Sequence, residues 1–399
     1  SLATTANPAG MAFVGTRMDI GARLFIPKRQ SAAYGQLGLE ANADTHGDSG
    51  ANLFMVPNMG ANVALGKWSV GFAMVGNGLG TRYNYNFLGL NGKVVGKGAT
   101  FKKNTDPNQA LGISLMQVLI LPTITYKVTP TQAFGIAPIL GIQVFRAYGL
   151  GKFDTSLFSA VPGRVTNNGN DWSYGAGVRV GWMGKFLDGR LALGATYATR
   201  VYMSPFTKYK GLFADGGDFD IPRNFAVGIA VKPVRRLTVG LDVQRVFNNE
   251  VHSIGNRHPT APNTGSGLVA PPGQKLGTTG TGMGFGWRDQ TAYKLGVSYE
   301  LNDRWTVRGG FDYGRSPVPT DQLLFNVLAP GIVTRHWTGG FTYHLSPASE
   351  LSGSFMFAPR TTQICAYPAC QTMLTFKRGE FIGAQMWQYS LGISYGLKF

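Results

Sequence analysis

The sequence predicts an all-β fold, one fourteen-stranded antiparallel β-barrel crossing a membrane, on three observations. Apolar residues alternate with small or polar ones from end to end. In "QYSLGISYGLKF" (388–399), Tyr389, Leu391, Ile393, Tyr395, Leu397 and Phe399 share one parity, and Ser390, Gly392, Ser394, Gly396 and Lys398 the other. A period of two marks a strand with unlike surroundings on its two faces. Composition is the second observation: charged residues are 14% of the 399, aromatics 12%, and glycines number 56. Soluble domains carry roughly 25% charge, so most of this surface does not face water. The third is that connection lengths sort by end.

Fourteen segments carry the alternation: 17–34, 50–66, 68–85, 109–128, 133–150, 171–185, 190–205, 220–233, 236–252, 288–300, 304–316, 331–345, 349–360 and 387–399. The tight connections "LGKW", "VTPTQ", "FLDGR", "KPVRR", "ELNDR" and "LSPAS" all follow even-numbered segments. Long Gly-, Asn- and Pro-rich connections follow odd-numbered ones, the largest being 253–287. A membrane barrel has this asymmetry, with tight periplasmic turns and longer extracellular loops. Both termini then lie on the periplasmic side. Trp68, Trp172, Trp182, Trp305, Trp337 and Trp387 stand near segment ends, as interfacial aromatic girdles do. The last segment pairs with the first, because an open sheet edge cannot face lipid. A soluble sandwich or propeller would need polar outer faces.

Two stretches, 108–126 and 129–145, approach the length of an apolar helix. Their interior Pro, Gly and β-branched residues weaken a helical hairpin there. The opening "SLATTANPAGMAF" has no basic region followed by an apolar one, so it does not read as a signal peptide. The formal charge is 37 − 20 = +17, but the Lys and Arg residues are dispersed. That favours a solvated or anionic-lipid-facing rim over nucleic acid. The five histidines show no metal spacing, and neither a G-x-S-x-G elbow nor a P-loop occurs. No cofactor and no enzymatic activity is expected. A hydrolase would need a Ser/His/acid set, and inward His336 and His344 lack an evident partner. Cys365 and Cys370 in "CAYPAC" suit a loop-clipping disulfide in a non-cytoplasmic compartment better than redox or metal chemistry. A general porin would show constriction charges on an inward-folded loop. A surface adhesin or receptor barrel is the remaining alternative.

"NPAGMAF" (7–13), "WRDQTAYKLGVSYELNDRWTVRGGFDYGRSPVP" (287–319) and the terminal "SYGLKF" together resemble the FadL family of outer-membrane transporters for long-chain fatty acids and for aromatic or aliphatic hydrocarbons. The resemblance covers nearly the whole chain. It implies a passive channel in the outer membrane of a Gram-negative bacterium, with hydrophobic small molecules as ligands and lipid and lipopolysaccharide as neighbours. Phe399 is similar to the aromatic terminus by which the outer-membrane assembly machinery recognises such barrels. Asn7, Pro8 and Ala9 correspond to the family's hatch motif, which implies a plug over 1–16 and a barrel over 17–399. Family members usually carry a few dozen more residues ahead of that motif, where this sequence has six; either the sequence given starts within the plug or the plug is a reduced one.

The resemblance also implies that Gly76-Asn77-Gly78 bends the third strand inward and opens the wall sideways; glycine within a strand often marks a bulge or bend. The inward charges Asp19, Arg23, Arg179, Asp242, Lys294, Arg308 and Asp312 are expected to pair with one another. Of these, Lys294 lies where the family has a basic residue and, with Arg308, is a candidate contact for a ligand carboxylate.

Overall fold

The computed structural model describes residues 2–34, 45–83, 93–94, 101–102, 110–259, 270–271, 273–370 and 378–399. Its barrel strands are β1 (Arg17–Tyr34), β2 (Phe54–Leu65), β3 (Trp68–Tyr83), β4 (Leu111–Thr129), β5 (Gln132–Tyr148), β6 (Asp171–Phe186), β7 (Leu191–Ala198), β8 (Asn224–Val234), β9 (Leu237–Val246), β10 (Gln290–Glu300), β11 (Trp305–Gly314), β12 (Arg335–Ser346), β13 (Ser349–Ala366) and β14 (Phe381–Lys398). Each pairs antiparallel with the next. β14 closes on β1 in unbroken register from Arg17↔Lys398 to Tyr34↔Phe381. The Phe399 N–H still donates to Thr16 O, at 3.0 Å. The alternation therefore runs into the last residue because that residue belongs to the closing seam.

Outward positions are apolar and exposed: Ile20 and Leu24 on β1, Tyr293, Leu295 and Val297 on β10, Leu391 and Ile393 on β14. A water-soluble protein could not leave such a belt uncovered; lipid covers it. The stretches 108–126 and 129–145 fall on β4 and β5, and no helix among the described residues is long and apolar enough to cross a membrane. Where the seam meets the turn end, Arg17 is ion-paired with Asp19 and, at 2.6 Å, with Glu350, to which Lys398 also donates at 3.1 Å. One carboxylate thus ties β1, β13 and β14 together.

Strand ends differ most from the sequence reading in three places. β13 continues to Ala366 and β14 starts at Phe381, pairing Thr361–Ala366 with Met386–Phe381 after a register shift between Ala358 and Thr361. Pro359 marks that shift: it removes one ladder donor and is absorbed as a bulge instead of ending the strand. The segment 190–205 breaks after Ala198, and Tyr202–Met203 turns back onto β6 at Ala176 and Gly175. Asp220 Oδ1 accepts the Met203 N–H at 2.6 Å and so holds that excursion. β9 ends at Val246, followed by short helical turns.

Candidate functional site

The first residues enter the barrel and stay there. Two 3₁₀ turns, Leu2–Thr5 and Pro8–Phe13, lie against the inner faces of β2–β7. Asn7 caps the second turn by accepting the Ala9 N–H at 3.0 Å, and Pro8 takes the first helical position, where its missing donor costs nothing. The Asn7 amide donates to Trp182 O (2.9 Å) and Ala195 O (3.2 Å). Thr125 Oγ1 donates to Pro8 O at 3.0 Å, Asn62 Nδ2 to Met11 O at 3.1 Å, and Arg179 to Thr5 O. Gly135 and Gly181 make the room: a Cβ on either would strike Pro8 or Asn7. Ala9, Met11 and Ala12 are buried.

Above this segment the loops pack into a cap. Phe145, Phe206, Tyr209 and Phe213 meet edge-on or tilted, with Phe145 centroids 4.7–5.5 Å from the other three. Phe153, Leu276, Met283, Leu323, Leu324 and Val327 extend the same buried cluster, and Cys365, bridged to Cys370, joins it. Within it lies an apolar cavity of about 40 Å³, lined by Ile113, Phe145, Phe153, Phe213, Leu324 and Phe325 among others. At the cap rim Arg200 Nε donates to Asp220 (2.5 Å) and its terminal nitrogen to Asp218 (3.2 Å). Burial and the adjacent Asp220 push the Asp218 carboxyl up, to about 7. His258 is wholly buried, which lowers its imidazole to about 4 and keeps it neutral at pH 7.

The opposite half of the lumen is open and carries charged side chains among glycines. Cavities of about 420 and 670 Å³ line the inner faces of β7–β14, where Gly228, Gly240, Gly296, Gly310 and Gly340 alternate with Asp242, Lys294, Ser298, Arg308, Thr338 and Ser352. The inward charges form separate groups and not one network. Lys294 stands in register with Asp242 and Asp312, and its Nζ donates to Gln244 Oε1 at 2.7 Å. Arg308 donates to Thr342 Oγ1 at 2.7 Å. Arg23 lines the larger cavity beside them. None of these groups reaches the apolar cavity of the cap.

Gly76-Asn77-Gly78 does not interrupt β3, which pairs through the triplet with β4: Gly76↔Val118, Asn77↔Gln117, Gly78↔Met116. What ends there is the pairing on the other edge. The β2–β3 ladder runs from Leu65↔Trp68 to Asn58↔Val75 and stops. The next residue of β2 is Pro57, which has no N–H to contribute. β2 continues to Phe54 against β1 alone, and β3 next meets a described partner at Ser49 and Gly50, through Tyr83 and Arg82. Asn77 Oδ1 takes the Gly78 N–H at 2.8 Å, so a freed backbone donor at this edge is satisfied locally.

The cap's aromatic cluster escaped sequence reasoning residue by residue, although Leu, Phe and Met in the loops were its signal. Comparison with known proteins bears on the fold. The structure is similar to that of the Pseudomonas putida toluene transporter TodX (16% identity, TM-score 0.65, 99% of this chain and 93% of that one). It is also similar to the Ralstonia pickettii toluene transporter TbuX (17%, 0.63, 100% and 93%) and to a Pseudomonas aeruginosa FadL homologue (14%, 0.63, 98% and 93%). No curated protein matches the sequence. Residues 2–364 match the family described as outer membrane protein transport protein (OMPP1/FadL/TodX). The chain belongs to that family, a barrel of the Gram-negative outer membrane that carries molecules across and catalyses no reaction.

Proposed function

We propose that this protein is a passive channel through which small hydrophobic molecules, such as fatty acids, alkanes or monoaromatic hydrocarbons, enter through the loop cap and leave sideways into the bilayer. The cap's apolar cavity carries the reading, because it lies on the loop side and is lined by aromatic and aliphatic side chains. Removing an alkyl chain from water is worth about 0.8 kcal/mol per CH₂, so a ten-carbon chain gains roughly 8 kcal/mol on entering an apolar site that has opened wide enough to hold it. Release into periplasmic water would return all of it. Release into lipid returns almost none, since both surroundings are apolar. The wall edge beyond Asn58↔Val75 supports the lateral route, and the segment around Asn7, Pro8 and Ala9 supports a plug that closes the straight one. Exposed Phe399, lying at the seam, supports the reading of the C-terminus as an assembly signal. Lys294 and Arg308 face the open half, where they would meet a ligand headgroup only if it left the apolar path.

Uptake of a labelled fatty acid and of a labelled monoaromatic into proteoliposomes tests the reading. Both or either should enter faster than into protein-free vesicles. Rapid liposome swelling in sugars with no hydrophobe uptake would show a general porin instead.

A further inference from the structure

Three adjacent strands carry the same inward sequence of apolar, polar, apolar. On β3 it is Leu79, Asn77, Val75; on β4, Leu115, Gln117, Leu119; on β5, Phe145, Gln143 and, past Gly141, Ile139. The first member of each belongs to or packs on the cap cluster that holds the cavity, and the last belongs to or packs on a second cluster with Val201 and Met203. The middle members are in register, Asn77↔Gln117↔Gln143, and Ser173 of β6 continues the row. A polar line thus separates two apolar compartments, and it ends at Asn77, where β3 loses β2.

Most of the line is hydrogen-bonded or exposed, and Gln143 is neither. Asn77 Nδ2 reaches Gln117 Oε1 at 3.4 Å, and Ser173 Oγ donates to Ser204 O at 2.5 Å. Gln143 is 0% exposed, and neither its Nε2 nor its Oε1 has a partner among the described residues. A buried, unpaired carboxamide is costly, and native proteins keep few of them. Here both a donor and an acceptor are held between Phe145, a wall of the cavity, and Gly141, against which Met203 packs.

We propose that Gln143 is a specificity residue that pairs with one uncharged hydrogen-bonding group on an otherwise hydrophobic ligand as it passes from the cap cavity toward the wall edge. The inference rests on the uptake reading above and names the substrate class within it: phenols, alcohols, aldehydes or ketones ahead of plain hydrocarbons. A carboxylate is disfavoured, because the row holds no cation. The nearby inward acid, Asp171, already accepts the Trp172 N–H (3.0 Å) and the Lys208 N–H (2.7 Å). A hydroxyl or carbonyl would satisfy the stranded amide, whereas a hydrocarbon would leave it unpaired, and sites built to hydrogen-bond discriminate strongly against analogues that cannot.

The test uses an isosteric pair, 4-methylphenol and p-xylene, with binding measured on nanodisc-embedded protein against empty nanodiscs. Gln143→Leu should weaken 4-methylphenol about tenfold while p-xylene binds as before or more tightly. Gln143→Met serves the same purpose should the leucine variant lose the heat-modifiable migration of a folded barrel. Equal changes for the two compounds, or none for either, overturn the assignment of Gln143. If neither compound binds the wild-type protein, this inference falls; the uptake reading falls as well only if a labelled fatty acid also fails to enter proteoliposomes.

Discussion

Asn7 occupies the space that a side chain at Gly181 would need. The N-terminal segment and the inner wall are therefore cut to each other, and the Asn7 amide adds hydrogen bonds to Trp182 and Ala195 across β6 and β7. Gly181→Val should expel the segment from its seat without touching the outer face. Ion conductance in planar bilayers is expected to rise severalfold, and deletion of residues 1–12 should mimic it. A conductance equal to wild type in both would remove the plug from the account.

Side chains at Gly76 and Gly78 meet Val56 Cγ1 and Leu115 O at 3.0 Å, closer than ordinary contact. Val56 belongs to β2 and Leu115 to β4, so in the double change Gly76→Val, Gly78→Val it is the valine at 76 that should fill the edge between β2 and β3. Uptake of hydrophobic ligand should fall several-fold while barrel assembly and ligand binding to the cap persist. Wild-type uptake by a variant whose wall is closed would place the exit elsewhere.

The cavity of about 40 Å³ is smaller than the roughly 150 Å³ apolar cavity that admits benzene in an engineered protein. A ring enters only if a wall side chain swings away. Phe325, 5.5 Å from Phe153, is one of three wall residues, with Leu212 and Phe285, that are only partly buried. Phe325→Ala should raise affinity for a monoaromatic ligand by several-fold and lower cap stability, read as faster proteolysis of the loops.

Burial holds His258 near 4, below its ordinary 6.5. The unfolded cap therefore binds a proton first as pH falls. The stabilisation is complete above about pH 6.5 and is lost progressively as pH falls toward 4. Amide protection factors in 252–258, corrected for the intrinsic pH dependence of exchange, should fall across that window, and His258→Phe should abolish the change. A flat profile in the wild type would contradict the burial.

Cys365 is buried in the cap cluster and joined to Cys370. Such a bridge contributes on the order of 2 kcal/mol. Replacing both by serine should loosen the β13–β14 end, seen as faster local exchange, and leave uptake close to wild type.

The barrel was legible because period-two alternation is local: each strand's two faces are written in adjacent residues, and tight turns announce themselves by length. The extension of β13 past Pro359 was not, since only pairing with β14 shows that the ladder resumes at Thr361. Asn7 and Pro8 stood out as turn chemistry, yet their seat against Gly135 and Gly181 depends on residues more than a hundred positions away. The cap is harder still. Phe145, Phe213 and Leu324 read as a strand end and two loops, and only the closed barrel brings them to one cavity. Gln143 sits in an alternating strand as one ordinary inward polar residue; its lack of a partner exists only in three dimensions.

The N-terminal segment leans on six of the fourteen strands and leaves the glycine-lined remainder of the lumen to cavities. On the plug reading proposed above, these residues act as a shutter fixed along one jamb and not as a cork held all round. A cork must be pulled along the axis or its neck must widen, and either would disturb a hydrogen-bonded ring. A shutter slides sideways into room that is already there. The hoop of strands can then stay rigid while the aperture changes, so opening need not compete with the lateral pressure of the surrounding membrane.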